Sequence, residues 1–228
     1  MDRPTTNPQR RAAKPGSRNA LVAASRLHGW VERFATSHGG LSEEQWTGDG
    51  ALLLCANDGA TAALRAPWPE DGRPGRGKTS LDRLASAARQ ERGLGILLVR
   101  RGGYAVAAAT GLTVLESKSG NRYVQSRSAA GGQSQQRFAR RRTHQADALV
   151  DTAAEHAARI FAAHTVEYIV PGGDRALVEQ VLDHPAMRSM ARRPRLALLD
   201  VQEPKTAVLA KAAADACAVR ITVTDAPA

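Results

Sequence analysis

The sequence predicts an α/β domain built on a mixed sheet, with a small α+β region in front of it. Three observations carry this. Apolar runs separated by glycine-containing turns begin at Gly93, a helical apolar period fills about Gln136 to His164, and two strand-then-helix units follow. Consecutive strands imply an antiparallel meander, and alternating strand and helix imply additions to the same sheet.

Residues 1–18, rich in Pro, Arg, Ser and Asn without apolar period, read as a disordered basic tail. Residues 19–92 form the small N-terminal region. Within it 19–38 fit an amphipathic helix carrying Leu21, Val22, Leu27, Trp30, Val31 and Phe34. Residues 51–66 read as a hairpin around Asn57-Asp58-Gly59, residues 67–79 as a Pro/Gly/Arg loop, and 80–91 as a short helix. The larger domain is expected over 93–228. GILLVR and YAVAAAT join through Arg101-Gly102-Gly103, and LTVLES and RYVQSR join through Lys118-Ser119-Gly120-Asn121. The loop SAAGGQSQ precedes the long helix, whose Leu149, Val150, Ala153, Ala157, Ile160 and Phe161 share one face. VEYIV with helix 174–183, then RLALLD with helix 205–217, complete a βαβα tail.

Composition narrows the function classes. A chain of 228 residues with 43% hydrophobic content can bury a core. Cys55 and Cys217 match no disulfide framework, which points to a reducing compartment. No apolar run approaches the roughly 18–20 residues of a membrane span, and the start lacks a signal-peptide stretch. A cytoplasmic protein with no membrane association is expected, acting as a monomer.

The net charge of +10 is unevenly spread. Residues 117–146 hold Lys118, Arg122, Arg127, Arg137, Arg140, Arg141 and Arg142 and no acid. Arginine offers phosphate a planar fork of donors, so the cluster points to a nucleic-acid partner; the plainer alternative is a solvated basic face.

Several chemistries find no support. Gly72–Thr79 matches the phosphate-loop pattern GxxxxGK[ST], with Leu196–Asp200 as a possible acidic partner strand. A working phosphate loop leaves a buried parallel strand, and here the residues before it are Pro-rich. The six histidines are scattered without metal-ligand spacing, so no metal and no cofactor is expected. Ser134 has neither a base nearby nor a GxSxG elbow.

What remains is Gly131-Gly132-Gln133-Ser134-Gln135-Gln136, running into Arg137-Phe138-Ala139-Arg140-Arg141-Arg142. Arginines at a helix N-terminus oppose its macrodipole, so local stability does not explain them, whereas an anionic ligand does. Glycines let the backbone approach a ligand closely. A carboxamide is no base, yet it can orient water or hydrogen-bond a developing oxyanion. On physics alone such a loop is more often just a flexible connection.

The run SGNRYVQSRSAAGGQSQQRFARRRTHQADA resembles the signature of the actinobacterial Vms-like release factors, relatives of the catalytic domain of the eukaryotic class-1 release factor. Gly172-Gly173-Asp174-Arg175 and Leu199-Asp200-Val201 add weaker matches. The likeness covers about 93–205 well and 19–92 loosely. It implies a release-factor-type catalytic domain and hydrolysis of peptidyl-tRNA on stalled or split large ribosomal subunits. The implied partners are large-subunit rRNA and the CCA end of the tRNA. The family's Gly-x-x-Gln pattern falls on Gly132-Gln133-Ser134-Gln135, which carries the catalytic role to Gln135, with Gly131 and Gly132 giving the loop its reach. Gln133 departs from the family, where an aromatic residue is frequent, and makes a literal Gly-Gly-Gln like that of general release factors. Both glutamines therefore stand as candidates. Arg122, Arg127, Arg137, Arg140, Arg141 and Arg142 are the expected RNA contacts. The contrasting possibility is a non-catalytic ribosome- or RNA-binding factor on the same fold.

Overall fold

The computed structural model describes residues 16–69, 71–121 and 133–226, and for 133–146 the backbone alone. The protein is mixed α/β with two sheets, in two compact units. One unit takes the described residues of 1–66, 74–86 and 219–228, and the other takes those of 67–73 and 87–218. Strand β9 (Val219–Thr224) thus belongs with the N-terminal strands, whereas the sequence placed 93–228 in one domain.

The first unit holds an antiparallel sheet of five strands, ordered β1 (Ser17–Val22), β9, β4 (Thr61–Arg65), β3 (Leu52–Ala56), β2 (Leu41–Trp46). The expected hairpin is β3–β4, with Leu52 opposite Leu64. Helix was expected over 19–38, but β1 occupies the start and helix α1 covers only Leu27–Ser37. The expected tail over 1–18 is shortened likewise, because Ser17 already pairs with Thr224. Leu21 and Val22 fit either period locally, and β9 offers the strand partner that decides between them. Helix α2 (Ser80–Ala88) carries the chain onward.

The second unit is a three-layer sandwich around a four-stranded sheet ordered β7 (Thr113–Asn121), β6 (Gly103–Thr110), β5 (Gly93–Arg100), β8 (Tyr168–Gly173). β5, β6 and β7 form the expected meander, and β8 joins β5 in parallel. Leu97, Val99, Val106 and Ala108 face one core with Leu149, Ala153, Ala157, Ile160 and Phe161 of helix α3 (Gln133–Ala163) and with helix α4 (Arg175–Asp183). Ile96, Leu98, Ala105 and Ala107 face the other with helix α5 (Leu209–Ala216) and Trp68. Both faces are covered, which is why β5 and β6 read as unbroken apolar runs.

Two expectations fail here for identifiable reasons. Lys118–Asn121 is not a turn but the end of β7, in register with Gly103–Val106. Gly120 is needed because a Cβ there would lie 2.7 Å from the Tyr104 ring. RLALLD is not a full strand; Arg195 and Leu199 make isolated parallel bridges to β8. The amides of Ile169 and Gly173 donate to Pro194 and Leu199, but Pro171 between them has no N–H to give. No described helix is long and apolar enough to cross a membrane.

Candidate functional site

Strand order fixes where the described chain stops ahead of the Gly/Gln run. β7 runs parallel to β5 and β8 and ends at Asn121, opposite Gly103, which in turn pairs with Arg100. Val99 pairs with Gly173 on the other side. The carboxyl ends of β5, β7 and β8 therefore lie on one edge of the sheet, the edge where open α/β sheets place ligands. Arg122, Arg127, Gly131 and Gly132 lie outside the described residues.

The chain is described again from Gln133, where α3 begins three residues earlier than its expected start near Gln136. Gln133, Ser134 and Gln135 are its first three positions, so their backbone N–H groups belong to the turn that lacks intrahelical acceptors. Positions two apart in an α-helix stand about 200° apart around the axis. Gln133 and Gln135 thus occupy nearly opposite sides of the helix. Arg137, Arg140 and Arg141 share the side of Gln133, and Arg142, two turns on, shares that of Gln135.

α3 also reaches well past the sheet. The His156 ring stacks on Tyr104 at 5.9 Å between centroids, and Phe161 meets Gly95 further in. Gln133 is about 35 Å of helix before His156, whereas β6 has one residue, Gly103, before Tyr104. The first turns of α3 therefore extend beyond the strand ends. Tyr104 is buried and burial pushes its phenol up.

The two subsidiary motifs prove to be architectural. Gly173 has φ +94°, and a Cβ on it would lie 2.3 Å from the Val99 carbonyl oxygen. Asp174 donates its amide to that carbonyl at 2.8 Å. Its carboxylate accepts from the amides of Ala176 (3.0 Å) and Leu177 (3.3 Å), capping α4. Leu199 and Val201 pack against Gly172, while exposed Asp200 accepts from the Gln202 side chain at 2.9 Å. Gln202 in turn accepts from Arg100 Nη1 at 3.1 Å. Arg100 and Gln202 escaped the sequence analysis because only strand register brings them to this edge.

A hollow of about 400 Å³ lies beside that edge, lined in part by Asp200, Glu203, Lys211 and Asp215. Three carboxylates against one ammonium make it a poor phosphate site. The phosphate-loop match dissolves locally. Gly72–Thr79 follows the antiparallel strand β4, and Thr79 caps α2. Its hydroxyl accepts from the Asp82 amide at 3.0 Å, and Asp82 accepts from the Thr79 amide at 3.1 Å. Among the described residues no group of His, Cys, Asp or Glu could hold a metal ion.

At the opposite edge Arg92, only 2% exposed, is paired with Asp71 at 3.3 Å. Tyr168 donates to Asp71 at 2.6 Å and Arg73 bridges Asp71 and Glu167 at 2.6 Å each. Burial by itself would raise Asp71, but the bonds from Tyr168 and Arg73 outweigh it and hold the carboxyl below its usual range. Burial, then the nearby Asp71, pushes Tyr168 up to about 12. These contacts tie residues 71–73 to β5 and β8 and are structural, while the buried Arg92 Nε has no hydrogen-bond partner among the described residues.

A family described as the Actinobacteria/chloroflexi VLRF1 release factor matches residues 92–222. No curated protein matches the chain. Among solved structures, a chain described as "Archaeal protein" is similar at 12% identity and TM-score 0.28, covering 90% of this chain and 68% of that one. That superposition is too loose to carry an argument.

Proposed function

The chain belongs to the VLRF1 release-factor family of Actinobacteria and Chloroflexi, and from that premise we propose that it hydrolyses peptidyl-tRNA on stalled or split large ribosomal subunits. The supporting observation is the Gly/Gln run within the matched region, opening a helix that extends past the sheet edge. Gln135 is the working glutamine. Its carboxamide orients a water against the ester carbonyl, and the unpaired first-turn amides of α3 offer donors for the developing oxyanion. The water oxygen bonds to the carbonyl carbon, the ester C–O bond breaks, and the terminal ribose hydroxyl leaves with a proton. Gly131 and Gly132 give the loop its reach and Ser134 spaces the two glutamines. Arg122, Arg127, Arg137, Arg140, Arg141 and Arg142 hold RNA phosphates, and no cofactor takes part.

The helical positions sharpen the choice of residue. Positions 133 and 135 stand on nearly opposite sides of α3, which supports separate roles for the two glutamines. Gln133 lies with three of the arginines and belongs to RNA fitting. Single-turnover release from purified peptidyl-tRNA–large-subunit complexes tests this. Gln135→Ala is expected to lose about 10²–10³ in rate, the usual loss for one aligned donor, while binding the subunit as before. Gln133→Ala is expected to lose about tenfold or less. Wild-type rates for Gln135→Ala would sink the assignment, and a dead Gln133→Ala would transfer the role. No release by the wild type would leave a binding factor instead.

A further inference from the structure

Outside the 117–146 cluster a second concentration of arginine stands out only once the chain is folded. The segment 184–199 carries Arg188, Arg192, Arg193 and Arg195 and no acid. Arg195 pairs with Glu179 at 2.5 Å. Arg188, Arg192 and Arg193 are exposed, and none has an ion pair or side-chain hydrogen bond among the described residues. Elsewhere in the same unit Arg73, Arg92 and Arg159 are matched to carboxylates, whereas Arg89, Arg101 and Arg175 are exposed, scattered singly and without an ion pair among the described residues. Three like charges within six residues repel one another, so folding does not account for them.

The scaffold beneath them is firm. Met187 and Met190 are buried in the core shared with α3 and α4. The His184 ring accepts from the Ala186 amide at 3.2 Å, opening a 3-10 turn over Pro185–Met190. The Arg193 amide donates to Met190 at 3.0 Å, and the Ile169 amide of β8 donates to Pro194 at 2.9 Å. A rigid frame that presents unpaired guanidinium groups loses little entropy on binding. Such groups fit phosphate oxygens better than any apolar partner.

We propose that Arg188, Arg192 and Arg193 form a second RNA-backbone contact, separate from the Gly/Gln loop and its arginines. The choice of RNA over another polyanion rests on the release-factor reading, since such a factor works among ribosomal RNA. The contact positions the protein on the large subunit and takes no part in hydrolysis.

The test measures binding of the full chain to purified large subunits and to a short RNA duplex, across a salt series and without peptidyl-tRNA. Because no ester is involved, the outcome is independent of whether Gln135 catalyses. Changing Arg188, Arg192 and Arg193 together to Ala is expected to weaken both interactions and make log affinity against log salt shallower by about 2–3, at ~0.7–0.9 per phosphate contact. The same three changes to Lys preserve the charge and should keep the wild-type slope. An unchanged slope on both probes would overturn the proposal. So would lost subunit binding with unaltered duplex binding, which would point to an acidic ribosomal protein.

Discussion

Replacing Gly173 with Ala asks whether the Gly-Gly-Asp-Arg motif serves the fold or the chemistry. Two penalties can be read from the structure. At φ +94° any Cβ is strained, and a left-handed conformation costs an L-residue about 1–2 kcal/mol. The Cβ would also lie 2.3 Å from the Val99 carbonyl oxygen and 3.1 Å from Arg100 Cγ. The first clash is with backbone, in the bond that holds Asp174 to β5, so the parallel pairing of β5 and β8 must shift. Such overpacking costs about 1–3 kcal/mol. The sum is about 3 kcal/mol, which for a unit of this size lowers the melting midpoint by on the order of 10 °C. Thermal unfolding of the full chain by circular dichroism measures it, with Gly48→Ala as the control, because a Cβ there meets nothing within 4 Å. Release per folded molecule, assayed well below both midpoints, should match wild type. An unchanged midpoint with lost release would refute the architectural assignment and make the motif part of the site.

Tyr168, pushed to about 12, keeps its proton in the folded state over a range where the unfolded chain loses it. The stabilisation is therefore complete below about pH 10 and disappears as pH rises through about 12, amounting to roughly 2–3 kcal/mol. Tyr168→Phe should be less stable near neutrality by about 1 kcal/mol for the lost bond to Asp71. Chemical denaturation across alkaline pH should then show it declining less steeply than wild type, and parallel declines would remove Tyr168 as the cause. Asp71 titrates the other way. Its lowered carboxyl stabilises the fold above the unfolded value and that contribution is lost on acidification, so Asp71→Asn should flatten the acid limb. Neutralising Arg140, Arg141 and Arg142 together should lower the salt slope of large-subunit binding by about 2–3, and an unaltered slope would show that these side chains do not meet phosphate. Thr79→Ala should lose about 1 kcal/mol through its cap on α2 and leave release untouched; nucleotide binding that vanished with it would revive the phosphate-loop reading.

Features that depend on near neighbours were legible in the sequence. The apolar runs of β5 and β6, the helical stripe from Leu149 to Phe161, the Asn57-Asp58-Gly59 hairpin and the acid-free arginine cluster all follow from local period and composition. The Gly/Gln run was visible as letters, with its helix start misplaced by three residues because glutamine and serine serve equally in a loop and a first turn. Long-range partners were not legible. Leu21 and Val22 became strand because β9, some 200 residues on, pairs with them, and no local window contains that information. Gly120 lies within β7 because the Tyr104 ring passes over it, and RLALLD never becomes a strand because Pro171 withholds one donor. The same division separates the two arginine groups. The 117–146 cluster is defined by sequence alone, since no acid occurs within it. Arg188, Arg192 and Arg193 emerged only when folding assigned Glu179 to Arg195 and left the other three without a carboxylate. Which charges are neutralised is settled by distance in space, and tertiary packing sets those distances.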